Sequence, residues 1–309
     1  MSTHTPSSKK TSLHTDQKVP FFHPKRTDKI ATGVLYGVAG FFILLLVAFT
    51  LYILVRGGFA AVALMGHETE GIGAQLFNTI YLVILSLLIS APIGICAGIY
   101  MSEYMPSGHI ASITRTCIET LSSLPSVVIG LFGYLVFIVM TGSKWNLMAG
   151  ALAVSLLNLP LITTTTEDAL RALPKNYRES SLGIGATHWQ TIVRVLIPAA
   201  IPRILTGIIL AGGRAFGEAA ALLYTAGMAT SIDFRDWNPT HILSPLNPFR
   251  PGETLSLYIW QLRSESIGVD SQSLADLSAA VLIILVFIFS IGARCIGNAL
   301  ERKMTGKKD

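Results

Sequence analysis

The sequence predicts an all-α membrane protein of about six transmembrane helices, and three observations carry that prediction. The 309 residues are 51% hydrophobic and only 13% charged, about half the charge of a soluble domain at roughly 25%. The charges also fall in clusters separated by long uncharged runs. No Asp, Glu, Lys or Arg occurs between Lys29 and Arg56, Glu70 and Glu103, Glu119 and Lys144, or Lys144 and Glu167. Each run exceeds the roughly 18 residues that suggest a spanning helix. A shorter run lies between Asp276 and Arg294, and a further apolar stretch near 204–228 is interrupted only by Arg214 and Glu218. The third observation is sidedness. With the N-terminus inside, the basic residues of the tail, of Arg115, of Arg171 to Arg203 and of the C-terminal end all face the cytosol. The outside receives only Arg56, Lys144, Arg235, Arg250 and Arg263. That is the positive-inside pattern with both termini cytosolic, so the net charge of +5 marks orientation and not a nucleic-acid partner.

Residues 1–29, rich in Ser, Thr, Lys and Pro, predict a disordered cytosolic tail. The membrane domain is expected over 30–301, with a short cytosolic tail at 302–309. Ile30 to Val55 is too long for the apolar core of a signal peptide and reads as a retained first span. The second span is expected from about Leu76 to Met101. Gly33-x-x-x-Gly37 and Gly94-x-x-x-Gly98 are spacings that let helices approach closely, although such spacings also arise by chance. A third span, about Ile118 to Met140, contains Leu124-Pro125-Ser126, read as a packing kink. A fourth follows the turn at Thr141-Gly142-Ser143 and ends near Leu161. Beyond the fifth span, Pro239, Pro245, Pro248 and Pro251 exclude a long regular helix from the external stretch Ala229 to Ser273. Within it, Leu255 to Trp260 is expected on the membrane surface, with Tyr258 and Trp260 at the interface. Cys96, Cys117 and Cys295 form no CxxC pair and read as small apolar packing residues. The histidines show no metal-ligand spacing.

Residues 163–198 carry the most information. Thr164-x-x-Glu167 is a capping-box pattern, expected to open a short helix through Leu173. Pro174 suits the first turn of a second helix, Lys175 to about Leu182, and Gly183 and Gly185 offer the left-handed conformation that ends it. Thr187-x-x-Gln190 is a second capping box, opening a third helix that Pro198 stops. Trp189, Ile192, Val193 and Leu196 share one face of that helix. Such a ridge either lies on the membrane or fits a groove on a cytosolic partner.

The segment ESSLGIGATHWQTIVRVLIP, Glu179 to Pro198, resembles the EAA loop of ABC importer permeases. Glu179 and Gly185 match that pattern and Pro198 falls at its expected place, while Ser180 and Ser181 replace two alanines at similar size. In that family the loop is the coupling helix that docks into the ATP-binding subunit, so the resemblance implies docking roles for Glu179, Gly185 and Ala186. LPSVVIGLFGY, EDALRALPKNYRESSLGIGATHW and RAFGEAAAL resemble segments of phosphate importer permeases of the PstA type, with Ala219 and Ala221 departing from the usual Thr and Pro. The resemblance implies a type I ABC importer permease (MetI-like) fold and phosphate uptake by alternating access. It also implies partners: a second permease of the PstC type, an ATP-binding subunit dimer of the PstB type, an extracytoplasmic phosphate-binding protein of the PstS type, and membrane lipid. The chain has no Walker A sequence. ATP hydrolysis is therefore expected in a separate subunit, and neither a cofactor nor enzyme activity is expected here.

Arg214 and Glu218 are the only charges inside an expected span. If that span begins near Arg203, Arg214 lies about 16 Å along the helix, close to the middle of a hydrocarbon layer about 30 Å thick. An Arg there costs at least about 2.5 kcal/mol and should face protein or water. Four-residue spacing puts both charges on one helix face, where they can pair. One reading is a neutralised structural pair. The other makes Arg214 the landmark for a crossing anion, its forked donors matched to phosphate oxygens, with Glu218 holding it between transport events. The resemblance ties this segment to the anion path. Sulfate, molybdate or phosphonate would need the same charge. An intramembrane enzyme would need further reactive groups at membrane depth, and a membrane scaffold would need neither.

Overall fold

Apolar runs become long helices, and the prolines between and within them decide where those helices bend. A computed structural model describes residues 24–64, 72–106, 108–229, 231–265 and 271–305. Most of the expected 1–29 tail and the end of the 302–309 tail lie outside the described residues. Among the described residues five helices are long and apolar enough to cross a membrane, or six if one bent pair counts as a single span. Among the described residues there is no strand.

The chain divides into two units, residues 1–51 and 52–309. The first is described from Pro24 and is helical throughout, the opening part of α1 (Pro24–Leu64). Residues 24–29 are thus helix and not disordered tail. The second unit begins with the end of α1, where Arg56 donates to Asp276 at 2.9 and 3.1 Å.

At the centre of the second unit stand α2 (Gly73–Ile99) and α5 (Leu147–Arg171). They lie side by side and point the same way: Ser155 Oγ donates to Ser86 O at 3.0 Å, Gly94 faces Ile162 and Gly98 faces Thr166. A Cβ on Gly98 would sit 2.5 Å from Thr166 Cβ and 2.7 Å from Thr163 O, so the Gly94–Gly98 spacing marks a real contact. Lipid tails are as apolar as leucine, and close van der Waals packing is what favours helix contact in a bilayer.

Parallel neighbours require the chain between them to return across the bundle. The return is made by α3 (His109–Ser123) and α4 (Ser126–Gly133), the latter continued by a π-helical turn Tyr134–Val139. These two segments meet at 95°, a break where only a kink was expected. Leu124 and Pro125 are both extended, with ψ of 134° and 139°, because proline disfavours helix in its predecessor and offers no N–H.

α5 runs to Arg171, well past the expected end near Leu161. Thr164 caps nothing: its hydroxyl donates back to Pro160 O at 2.9 Å, and Thr165 bonds Leu161 O likewise. Next come α6 (Asn176–Gly183), α7 (His188–Thr191), a π-helical turn (Ile192–Leu196) and α8 (Ile197–Gly217). Pro198 was expected to stop the helix, yet His188–Gly217 is one crossing-length run. The Ile197 N–H reaches back to Ile192 O, and this wider turn absorbs the proline. α8 runs antiparallel to α2 and α5. At one end Leu196, Ala200 and Ile204 pack with Ile99 and Leu170; at the other, Ala215 and Phe216 pack with Leu82 and Leu147.

After α9 (Ala220–Thr225) and a stretch of turns come α10 (Leu255–Glu265) and α11 (Ser271–Thr305). α10 was expected on the membrane surface. It instead buries Leu255 and Leu257, and Leu257 joins the core around Leu82. α11 carries helix past the expected boundary at 301.

Replacing Gly98 with Val should push α2 off α5 at an overpacking cost of about 1–3 kcal/mol. The thermal unfolding midpoint of the purified protein should fall; an unchanged midpoint would show that the contact tolerates a side chain.

Candidate functional site

The projecting loop is narrower than the sequence suggested, because α5 and α8 take residues from both its ends. What remains is α6, the turn after it and α7. Gly185 adopts φ +88°, in the left-handed region that glycine enters without a Cβ clash. Gly183, the other candidate for that role, is the last residue of α6. The second capping box forms as expected: Thr187 N–H donates to Gln190 Oε1 at 2.9 Å, and Gln190 N–H donates to Thr187 Oγ1 at 3.3 Å.

The expected ridge of Trp189, Ile192, Val193 and Leu196 divides. Ile192 and Leu196 are fully buried in the bundle, while Trp189 and Val193 stay exposed. Tyr177, Leu182 and Ile184 are exposed as well, Ile184 to 88%. A groove of about 480 Å³ beside them is lined by Tyr177, Ser180, Ile184 and Val195. Glu179 and Gly185 are exposed and Ala186 half-buried on the same projection. Exposed apolar side chains gathered on a polar loop form a patch of the kind that a protein partner or a membrane covers.

Ion pairs fix the loop to the bundle. Arg178 on α6 grips Glu103 with two nitrogens, Nε at 3.1 Å, and also donates to Leu170 O at 2.9 Å. Glu103 sits on a π-helical turn, Tyr100–Tyr104, that prolongs α2. Ser181 and Thr191 hydroxyls meet at 2.9 Å and close α6 onto α7. Nearby, buried Glu167 accepts from Arg115 of α3 and forms an ion pair with Arg171 at 2.9 Å. Of these five ion-pair residues, the three arginines register in the sequence only as sidedness, and Glu167 only as half of a capping box. The available signal was Glu103 and Glu167, single acids closing two long uncharged runs.

Arg214 and Glu218 do not pair. α8 ends at Gly217, and Glu218 is extended at ψ 120°, so the two side chains do not share one helix face. Glu218 is buried; its Oε1 accepts from Ala221 N–H at 3.1 Å at the start of α9. Arg214 is exposed and has no ion-pair partner among the described residues. The expected neutralised pair is therefore corrected to a capping carboxylate and a free guanidinium.

At the opposite end of the bundle from α6, residues 244–256 fold back onto α2. Buried Arg250 donates to Ser244 O at 3.0 Å and to Asn78 Oδ1 at 2.7 Å. Asn78 Nδ2 donates onward to Glu253 O at 2.9 Å. Ser256 Oγ donates to Glu218 O at 2.7 Å and so joins this loop to the end of α8. Glu253 is buried, with no cation at ion-pair distance among the described residues. Its Oε2 accepts from Gln75 Nε2 at 3.3 Å, while its Oε1 and Gln75 Oε1 have no partner. Burial pushes its carboxyl up to about 7, against the smaller opposing effect of the Gln75 hydrogen bond.

Residues 94–306 match the family of binding-protein-dependent transport system inner membrane components. The chain belongs to that family and is the permease subunit of an ABC importer, a multi-pass membrane protein with the MetI-like type I fold. The probable ABC transporter permease protein YqgI of Bacillus subtilis is 44% identical over 289 residues, covering 91% of this chain and 98% of that protein. The phosphate transport system permease protein PstA of Haemophilus influenzae is 32% identical over 294 residues, with the same two coverages of 91% and 98%. A bacterial ABC transporter that imports the acidic polysaccharide alginate gives a TM-score of 0.58 at 17% identity, over 89% of this chain and 98% of that one. The inward-facing MetNI methionine transporter gives 0.53 at 17% identity, over 77% and 98%.

Glu253 sets the expected pH response. Its folded-state carboxyl binds its proton more tightly than the unfolded chain does, so its contribution is complete below the ordinary carboxylate value. That contribution is lost as pH rises through about 7, a change on the order of 3 kcal/mol. Thermal unfolding midpoints should fall between pH 5 and pH 8 in the native protein, and Glu253→Gln should flatten that slope. An equal slope in both would exclude Glu253 as its source.

Proposed function

We propose that the chain is one permease of an importer for inorganic phosphate, with Arg214 as the positive landmark of the anion path. The observation that carries this reading is the free guanidinium of Arg214 on the exposed face of a crossing helix. A charge at that depth is costly unless it faces protein or water. In a two-permease pore that face would be turned toward the path, and its planar donors suit a tetrahedral oxyanion. The PstA relative, similar over nearly the whole chain, supports phosphate as that oxyanion. Glu218 serves this site indirectly, by ending α8 and starting α9 behind Arg214.

The partners would be a second permease of the PstC type, a PstB-type ATPase dimer and a PstS-type external binding protein. Glu179, Gly185 and Ala186 would dock in the ATPase, with Tyr177, Leu182 and Ile184 filling its groove. ATP-driven closure of that dimer would pull α6. The Arg178–Glu103 fork would pass the displacement to α2, and alternating access would follow. Both termini would lie in the cytosol. The second reading is a permease for sulfate, molybdate or phosphonate, kept open because YqgI, the more similar relative, bears no substrate in its name.

In vesicles holding the assembled importer, Arg214→Gln should lower phosphate uptake at least about tenfold while the complex still assembles. Undiminished uptake would remove Arg214 from the path. Uptake by the native protein that sulfate or molybdate suppresses as well as phosphate does would favour the second reading. Gly185→Val should also cost uptake, by straining a left-handed residue by about 1–2 kcal/mol. Its signature is loss of binding-protein-stimulated ATPase activity, and normal stimulation would take Gly185 out of the docking surface.

A further inference from the structure

α3 is the outlier among these helices, since it buries none of its residues. Ile110, Ile113 and Cys117 form one stripe along it, and Ser112, Arg115 and Glu119 form another, the pattern of a helix lying in a membrane surface. Ile110 and Ile113 are both exposed. Between α3, the π-helical turn after α2, the end of α5 and α6 lies a cleft of about 820 Å³. On the π-helical turn that carries Ser102 of its lining, Tyr100 and Tyr104 stack with centroids 6.4 Å apart, both about half exposed. Such aromatic residues belong at the level of lipid headgroups.

Arg115, Arg171, Lys175 and Arg178 all line this cleft, with Glu179 at its rim. Arg178 is committed to Glu103 and Leu170 O. Arg115 and Arg171 must share the one carboxylate of Glu167, and Arg171 also donates to Met101 O at 3.1 Å. Lys175 has no ion-pair partner, and the Ser112 hydroxyl has no hydrogen-bond partner, among the described residues. Four cations thus line the cleft with one carboxylate, Glu179. Glu103 and Glu167 pair with the three arginines, and Glu119 and Asp168 line a neighbouring pocket with Arg115 and Arg171, which leaves Lys175 and Ser112 as the cleft's unpaired donors.

We propose that this cleft binds the phosphate headgroup of an anionic phospholipid, with Arg115 and Lys175 as its principal donors. Basic pockets between membrane helices are suited to such headgroups. Lipid is favoured over free phosphate because the same helix that supplies Arg115 presents Ile110 and Ile113 to acyl chains. A bound headgroup bridges α3 to the residue preceding α6 and so steadies the projecting loop. The site requires only the membrane setting, and stands whichever anion is transported.

The test uses the assembled transporter in discs of phosphatidylcholine, alone or mixed with phosphatidylglycerol, with retained lipid counted by native mass spectrometry. Phosphatidylglycerol should be retained selectively, and Lys175→Gln and Arg115→Gln should each weaken that retention about fivefold. An equal unfolding midpoint in pure phosphatidylcholine shows that a variant is intact; if Arg115→Gln fails to assemble, Lys175→Gln decides alone. Equal retention of the two lipids overturns the proposal, as would happen if a partner subunit filled the cleft. So does undiminished retention in the intact variants. Displacement of phosphatidylglycerol by millimolar inorganic phosphate would assign the cleft to the free anion instead.

Discussion

The contact between α2 and α5 at Gly94 and Gly98 sets the plan of the second unit. In a bilayer an apolar side chain gains nothing by turning from lipid to protein, so helices are placed by how closely backbones approach and by polar groups that lipid cannot satisfy. Both act here. The glycines admit Ile162 and Thr166, and Ser155 bonds the Ser86 carbonyl at 3.0 Å. Because the two helices run parallel, the chain between them must cross back, which is the task of the broken α3–α4 pair. α8 then lies antiparallel against both, and the connection from α8 to α10 closes over the opposite end.

Polar contacts do different work at the two ends. Near α6, Glu103 and Glu167 collect three arginines from three separate segments, so a pull on α6 is resisted by α2 and not absorbed in a slack loop. At the other end Arg250 and Asn78 hold 244–256 by hydrogen bonds to neutral groups. That arrangement buries a guanidinium whose hydrogen-bond partners are neutral, and burial raises the proton affinity of the nearby Glu253 carboxyl. One end is braced by charge pairs, and the other by hydrogen bonds among neutral groups.

Spans and local caps were legible in the sequence because their causes are local. Long uncharged runs have one outcome in lipid, and the Thr187 box closes within four residues. The Thr164 box failed for a tertiary reason: Arg115 and Arg171 capture Glu167, and the threonine hydroxyls bond back along α5. Pro125 and Pro198 look alike in sequence but behave oppositely. The first follows an extended Leu124 and breaks a span, while the second follows a π-helical turn and lets the helix continue. The ridge of the loop divided because α8 extends into the bundle and takes Ile192 and Leu196 with it. Helical spacing identifies a shared face but cannot say how much of that face the bundle covers.

The separation of Arg214 from Glu218 changes what the proposed anion path would require. A carboxylate paired with that guanidinium would compete with every passing oxyanion, and transport would have to break a buried ion pair, which leaves two uncompensated charges at membrane depth. Here the end of α8 at Gly217 turns Glu218 away, and its carboxylate is spent on the Ala221 N–H. Arg214 keeps its full donor set, three residues before the end of α8, while the Glu218 carbonyl accepts from Ser256 of the opposite loop. The position of the charge is thereby set by backbone and by the 244–256 loop, and not by a counter-ion. Any rearrangement of that loop can move Arg214 without first separating a salt bridge.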